Sequence, residues 1–248
     1  MHVDALTELV PRPREGRVFE QIVRPGFADC APSGRVRLDA LARWLQDIAY
    51  ADVVEAEMAH TAVWVVRRTR IRVERFPSFG ETYALATYCS GMGRMWAERR
   101  TSIARLGASA SDVETVSLWV HLDPEQWRPV TFSDEEISLY GPSAGGRRVT
   151  ARLRHPLPGA LEGGSAWSFR ATELDIAGHV NNTAYWQPLE EELLGGPEPE
   201  RIDAELEFRT PCQPGEKVLL RDGPRRWIVS GDGETHASIL LAEVAARP

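Results

Sequence analysis

The densest set of chemistry-bearing side chains in the chain is Asp175-Ile-Ala-Gly178-His179-Val-Asn181-Asn182-Thr-Ala-Tyr185. A carboxylate and an imidazole flanking a glycine turn can converge on one point. There, either can deprotonate a water, and the carboxylate can also attack directly. Gly178 can take a positive φ or admit a ligand close to the backbone, and Asn181 or Asn182 can cap a following helix. The first N–H groups of that helix have no intrahelical partner and sit at the positive end of its dipole. They can therefore bind a carbonyl oxygen as it becomes an oxyanion. The same residue types also make ordinary turns and caps.

These residues must be positioned by a strand over 166–173, a turn at 175–178 and a helical segment over 183–194. Pro188 falls inside that segment, so the helix either kinks there or begins later. The first half has a parallel order. The strand-like run at 18–23 leads through a Gly/Pro stretch to an amphipathic helix with Leu41, Trp44, Leu45 and Ile48 at helical spacing and Asp39 as the expected N-cap. Strand-like segments follow at 63–75, 82–89, 95–106 and 113–121. Residues 141–164, rich in Gly, Pro and Arg, read as a linker. Beyond them Ile202, Ala204, Leu206 and Phe208 alternate with Asp203, Glu205 and Glu207. Strand, helix, then a run of antiparallel strands, twice over, gives a duplicated α+β class.

Composition narrows the function. The net charge of −7 disfavours a general nucleic-acid binder, which needs a basic footprint. No apolar run is long enough to span a membrane, and the N-terminal stretch lacks the basic-then-apolar pattern of a secretory signal. Three cysteines without metal-ligand spacing, one necessarily unpaired, point to a reducing, cytoplasmic setting. Lys217 is the only lysine; every other basic residue is an arginine, an imbalance that genomic base composition explains.

The motif DIAGHVNNTAY followed by LEE (189–191) resembles the hotdog-fold thioesterase signature and is similar to the 4-hydroxybenzoyl-CoA thioesterase group. WVVRRTRIRVERFPSFGET (64–82) and SLWVHLD (117–123) with Arg128-Pro129 resemble segments of acyl-acyl carrier protein (acyl-ACP) thioesterases, in that family's order. The resemblance implies two tandem hotdog domains, 17–140 receiving the acyl chain and 165–246 carrying catalysis, each a curved antiparallel sheet wrapped around a central helix. It also implies Asp175 and His179 as catalytic residues, and an acyl-phosphopantetheine thioester on acyl carrier protein as substrate. No cofactor or metal is expected, and the product is free fatty acid. The pseudo-dimer would act alone or pair again into a homodimer. Two departures stand out. Plant-type enzymes have Asn where this chain has Ala177, and Glu before a later Cys where this chain has Pro211. An acyl-CoA thioesterase and a non-catalytic acyl-thioester binder are the alternatives.

Within that frame Asp175 acts as base or nucleophile, His179 orients or shares the proton, and N–H groups near Asn181 and Asn182 hold the oxyanion. Trp44 belongs to the core or lines the acyl tunnel, and Tyr185 packs at the helix start or lines the thioester entrance. Cys212 reads as a buried structural thiol in a strand. Glu190, Glu191 and Glu192 read as a solvated helix face, with Glu190 a second candidate base. Arg68, Arg70 and Arg72 share one strand face; they are either solvated charge or a dock for an acidic carrier or its pantetheine phosphate.

Overall fold

The computed structural model describes residues 6–159 and 164–246. Residues 160–163 of the expected linker, and the first five of the N-terminal stretch, lie outside the described residues. The strand-like segments of the first half become β1 (Phe19–Val23), β2 (Val63–Val73), β3 (Tyr83–Met92), β4 (Trp96–Arg105) and β5 (Val113–Leu122). Those of the second half are β6 (Ser165–Phe169), β7 (Pro199–Phe208), β8 (Gly215–Asp222), β9 (Arg225–Val229) and β10 (Thr235–Ala246). All ten form one antiparallel sheet in the order β1-β3-β4-β5-β2-β7-β10-β9-β8-β6. The second half of that order repeats the first in reverse, as a pseudo-two-fold axis between β2 and β7 requires. This is a tandem hotdog arrangement of the α+β class, joined at the β2–β7 pair.

Helix α1 (Leu38–Glu55) buries Leu41, Trp44, Leu45 and Ile48 against the sheet, as its spacing predicts. Its cap differs from expectation. Arg37 is the N-cap, and Asp39 lies in the first turn, where it accepts two hydrogen bonds of 2.9 Å from the Arg37 guanidinium. A carboxylate there still favours the positive helix end. In the second half, a 3-10 turn over Asn182–Trp186 runs directly into α3 (Gln187–Leu194). Pro188 thus sits in the first turn of α3, where its missing N–H costs little; the helix begins later rather than kinking. Both helices pack on one face of the sheet, and side chains from both halves form a single apolar cluster.

The segment after β5 holds an element that composition concealed. Helix α2 (Asp134–Ala144) starts at Ser133, whose hydroxyl accepts the Glu136 N–H while Glu136 accepts the Ser133 N–H. This capping box is readable as Ser-x-x-Glu, but the glycines and Pro142 nearby mask it. The residues after α2 do not hang free. Val149 accepts a hydrogen bond from Trp96 Nε1 at 2.8 Å, and Pro156 accepts one from Trp227 Nε1 at 2.9 Å. They lie as a strap across the face of the sheet opposite α1 and α3.

Under that strap the arginine face of β2 meets the acidic face of β7. The register pairs Arg68 with Glu207, Arg70 with Glu205 and Arg72 with Asp203. Arg70 grips Asp203 through two nitrogens, at 2.8 and 2.6 Å. Glu205 accepts the Thr7 N–H at 2.8 Å and Arg154 at 3.0 Å. Glu207 accepts the N–H groups of Arg154 and His155. Ligand atoms of His155, Glu205 and Glu207 lie within 4.8 Å of one another. Arg68, Arg154 and Arg209 crowd the same carboxylates, so a cation there would meet positive charge.

Candidate functional site

The Asp175–Tyr185 segment folds as a hairpin that delivers its chain into the 3-10 turn. Leu174 bridges Val180, the Asp175 N–H binds the His179 carbonyl at 3.0 Å, and the Gly178 N–H binds the Asp175 carbonyl at 3.0 Å. Gly178 takes φ of 74°, which a side chain would disfavour, and its carbonyl accepts Gln213 Nε2. Asp175 Oδ1 accepts the Ala177 N–H at 2.9 Å, and Oδ2 accepts Asn181 Nδ2 at 3.1 Å. Asn181 Oδ1 in turn accepts the Thr183 N–H, making Asn181 the cap. Asp175 and Asn181 are therefore brought into one network. His179 joins it through its backbone and stays half-buried.

The helix start holds one open donor. The N–H groups of Asn181, Thr183 and Ala184 are used by Glu173, Asn181 Oδ1 and the Asn181 carbonyl. Among the described residues the Asn182 N–H finds no acceptor. Asn182 and Trp186 line a narrow cleft whose other wall comes from the first half: Ala42, Leu45 and Gln46 on α1, Val66 on β2 and Trp119 on β5. The lining mixes apolar side chains with the polar residues Gln46, Thr69, Ser117 and Asn182.

The first half carries the same junction with different side chains. Ala31 N–H binds the Arg35 carbonyl, Gly34 N–H binds the Ala31 carbonyl, and Arg37 N–H binds the Asp29 carbonyl. These bonds match those of Asp175, Gly178 and Asn181 at one constant offset. Ala31 thus stands where the second half has Asp175, and Arg35 where it has His179. In this copy Glu190 reaches across from α3: Oε2 accepts the Leu38 N–H at 3.0 Å and Oε1 accepts Arg35 at 2.7 Å. Glu190 is only 2% exposed, so the solvated-face expectation fails for it, and its oxygens are too committed for it to serve as a base. Glu192 is held by Arg226 and Arg221, while Glu191 is exposed.

Of the expected binding residues, Arg68 and Arg70 are relocated, while Trp44 and Tyr185 take their packing alternative. Arg68 is buried at 5% exposure and Arg70 is paired with Asp203, so neither offers a guanidinium to a carrier. The alternation that put them on one face was legible; that the acidic face of β7 would cover them was not. Trp44 packs in the core, its ring 6.4 Å from that of Tyr83. Tyr185 is also core, packed between Phe169 and Phe208, and burial pushes its phenol well above the usual range.

Cys212 lies in the loop between β7 and β8, not in a strand, and is fully buried. Burial raises its thiol above the ordinary value despite the nearby charge of Lys217. A thiol kept protonated is a poor nucleophile. Cys212→Ala should therefore retain thioester hydrolysis within about two-fold, with any loss appearing as the modest instability expected of a small core cavity. Loss of hydrolysis without loss of folding would mean the thiol acts in the reaction.

Comparison with known proteins places this geometry. The pattern described as the acyl-ACP thioesterase N-terminal domain matches residues 16–140, and that of the acyl-ACP thioesterase C-terminal domain matches residues 163–234. An uncharacterized protein of Mycobacterium tuberculosis is 28% identical, over 94% of this chain and 95% of its own. An acyl-ACP thioesterase from Bacteroides thetaiotaomicron superposes with a TM-score of 0.77 at 14% identity, over 90% of this chain and 96% of its own. The 12:0-ACP thioesterase from Umbellularia californica does so with a TM-score of 0.73 at 18% identity, over 94% and 99%. At such identities the two structures establish a shared fold.

Proposed function

Because the chain belongs to the acyl-ACP thioesterase family, we propose that it hydrolyses fatty acyl thioesters on acyl carrier protein and releases the free fatty acid of lipid synthesis. The observation that carries the reading is the open N–H of Asn182, a residue lining a cleft whose walls come from both halves. The thioester carbonyl oxygen binds that N–H, and the acyl chain runs along Ala42, Leu45 and Val66 of the first half. Asp175 takes a proton from water; its oxygens each keep a lone pair beyond the bonds to Ala177 and Asn181. The water oxygen bonds to the carbonyl carbon, the C–S bond breaks, and the sulfur leaves as a thiolate that takes up the proton held by Asp175. A thiol with pKa of roughly 8.5 departs with little acid assistance. His179, on the same hairpin, orients or shares the proton.

Ala177 and Pro211 stand where plant-type relatives carry Asn and Glu, which favours this shorter Asp-centred chemistry. The test is free-thiol release from matched acyl-ACP and acyl-CoA thioesters of several chain lengths. A kcat/KM at least tenfold higher on the carrier-protein substrate is expected. Equal or higher values on acyl-CoA would make this an acyl-CoA thioesterase, and saturable binding without release would make it an acyl-thioester binder. No helix among the described residues is long and apolar enough to cross a membrane.

A further inference from the structure

The two halves present equivalent junctions, and only one is stoppered. In the first half, Glu190 of α3 occupies the Leu38 N–H and ties off Arg35, whose guanidinium also lies over Phe76 at 4.9 Å. The constant offset between the halves places Asn182 at Leu38, His179 at Arg35 and Gln46 at Glu190. An amide on α1 thus takes the position that a carboxylate takes on α3. The difference matters physically. A charged carboxylate claims a helix-start N–H strongly, whereas a neutral amide leaves it available.

The surroundings of Gln46 agree with an open site. Its Oε1 is sealed from solvent and accepts no hydrogen bond, and the indole N–H of Trp119 is sealed and donates none. Both residues line the cleft that holds Asn182. A buried acceptor without a donor costs about 1–3 kcal/mol, and native interiors rarely leave one. A sealed acceptor and a sealed donor beside an open N–H are the lining of a site that a polar guest completes.

We propose that Gln46 is a further catalytic residue: its Oε1 accepts a hydrogen bond from the attacking water and holds that water against the thioester carbonyl seated on the Asn182 N–H. This role rests on the hydrolytic reading above. An amide oxygen is not basic at neutral pH, so Gln46 orients the water while its proton goes to Asp175. The second half therefore supplies base and oxygen-binding N–H, and the first half supplies the group that aims the nucleophile. The first-half junction, with Ala31 in place of the base and Glu190 in the N–H, is inert.

Two variants test the assignment in the full chain, Gln46→Met, which keeps length without an acceptor, and Gln46→Glu. With acyl-CoA and acyl-ACP thioesters, Gln46→Met should lower kcat by about 10–100-fold while KM changes little, as expected when a reacting group is misplaced. Its Kd for a non-hydrolysable acyl-CoA thioether should match wild type. Gln46→Glu should lose thioether binding, because its carboxylate would take the Asn182 N–H as Glu190 takes that of Leu38. An unchanged kcat with raised KM in Gln46→Met would show that the amide holds substrate, and equal loss of thioether binding would show a packing role. Wild-type thioether affinity in Gln46→Glu would refute the placement. Absence of thiol release by wild type from every thioester would instead refute the hydrolytic reading, and the water-aiming role with it.

Discussion

Replacing Asp175 with Asn is expected to slow thiol release by about 100-fold or more, the scale on which a positioned general base contributes. The substitution is informative because it leaves most of the hairpin intact. The Asn oxygen can still accept the Ala177 N–H that Asp175 Oδ1 accepts at 2.9 Å. Gly178 keeps its positive φ, and the backbone bonds between Asp175 and His179 do not involve the side chain. What changes is the other oxygen. In wild type it accepts Asn181 Nδ2 at 3.1 Å; in the variant an NH2 group faces that donor, and the basic lone pair is gone. A modest stability loss can follow from the donor–donor encounter, so thermal midpoint and rate should be measured together. A variant that folds like wild type and releases thiol at the wild-type rate would remove Asp175 from the mechanism.

The second large effect is on stability. Glu207 is fully buried and accepts the Arg154 and His155 N–H groups at 2.8–3.0 Å, with Arg68 at 3.5 Å. Glu207→Ala would strand two N–H groups and leave the buried Arg68 guanidinium with the Arg152 carbonyl at 3.1 Å and Glu205 at 4.0 Å as its remaining partners. Breaking a buried ion pair from one side costs roughly 3–5 kcal/mol, which for a chain of this size lowers Tm by roughly 6–20 °C. Glu207→Gln, which retains an acceptor, should lose less than half as much. A Tm for Glu207→Ala within 2 °C of wild type, by calorimetry, would mean the strap and seam are not coupled. The same seam predicts acid sensitivity. Burial alone would raise the Glu205 carboxyl, but His155 Nε2 at 3.4 Å, the hydrogen bond from Thr7 and the charge of Arg154 hold it down to about 2. Its folded value lies below the unfolded one of about 4.3, so its stabilisation is whole above that pH and fades as pH falls toward 2. Urea midpoints should therefore drop steeply between pH 4 and pH 2.5, a range set by those two values, and by less in Glu205→Gln.

Charge reversal at Arg68 and Arg70 belongs to this second class of effect. As solvated residues they would tune carrier affinity; as members of the seam, their reversal would set like charges against Glu207 and Asp203. Loss of folding, measured as Tm, is the expected result.

Much of this architecture is local and therefore legible along the chain. Alternation in 63–75 and 202–208, the spacing of Leu41, Trp44, Leu45 and Ile48, and the glycine breaks mark the strands and the long helix, because local propensity and burial pattern agree there. The DIAGHVNN segment likewise dictates its own hairpin, because its turn glycine, Asx bonds and helix cap all form between near neighbours. The strap helix α2 was equally local, marked by Ser133 and Glu136, and was hidden only by the glycines around it.

What only the tertiary structure decided is pairing across distance. Nothing near Arg68 says that Glu207 will face it, since their contact is made by joining β2 to β7, and sheet register is set by burial of the opposite faces. Nothing near Glu190 says that its carboxylate will close the Leu38 N–H, or that Gln46 will stand open in the mirrored place. Charge and polarity are written residue by residue, but whether a charged group is solvated, paired or left waiting for a substrate depends on which distant surface the fold lays against it.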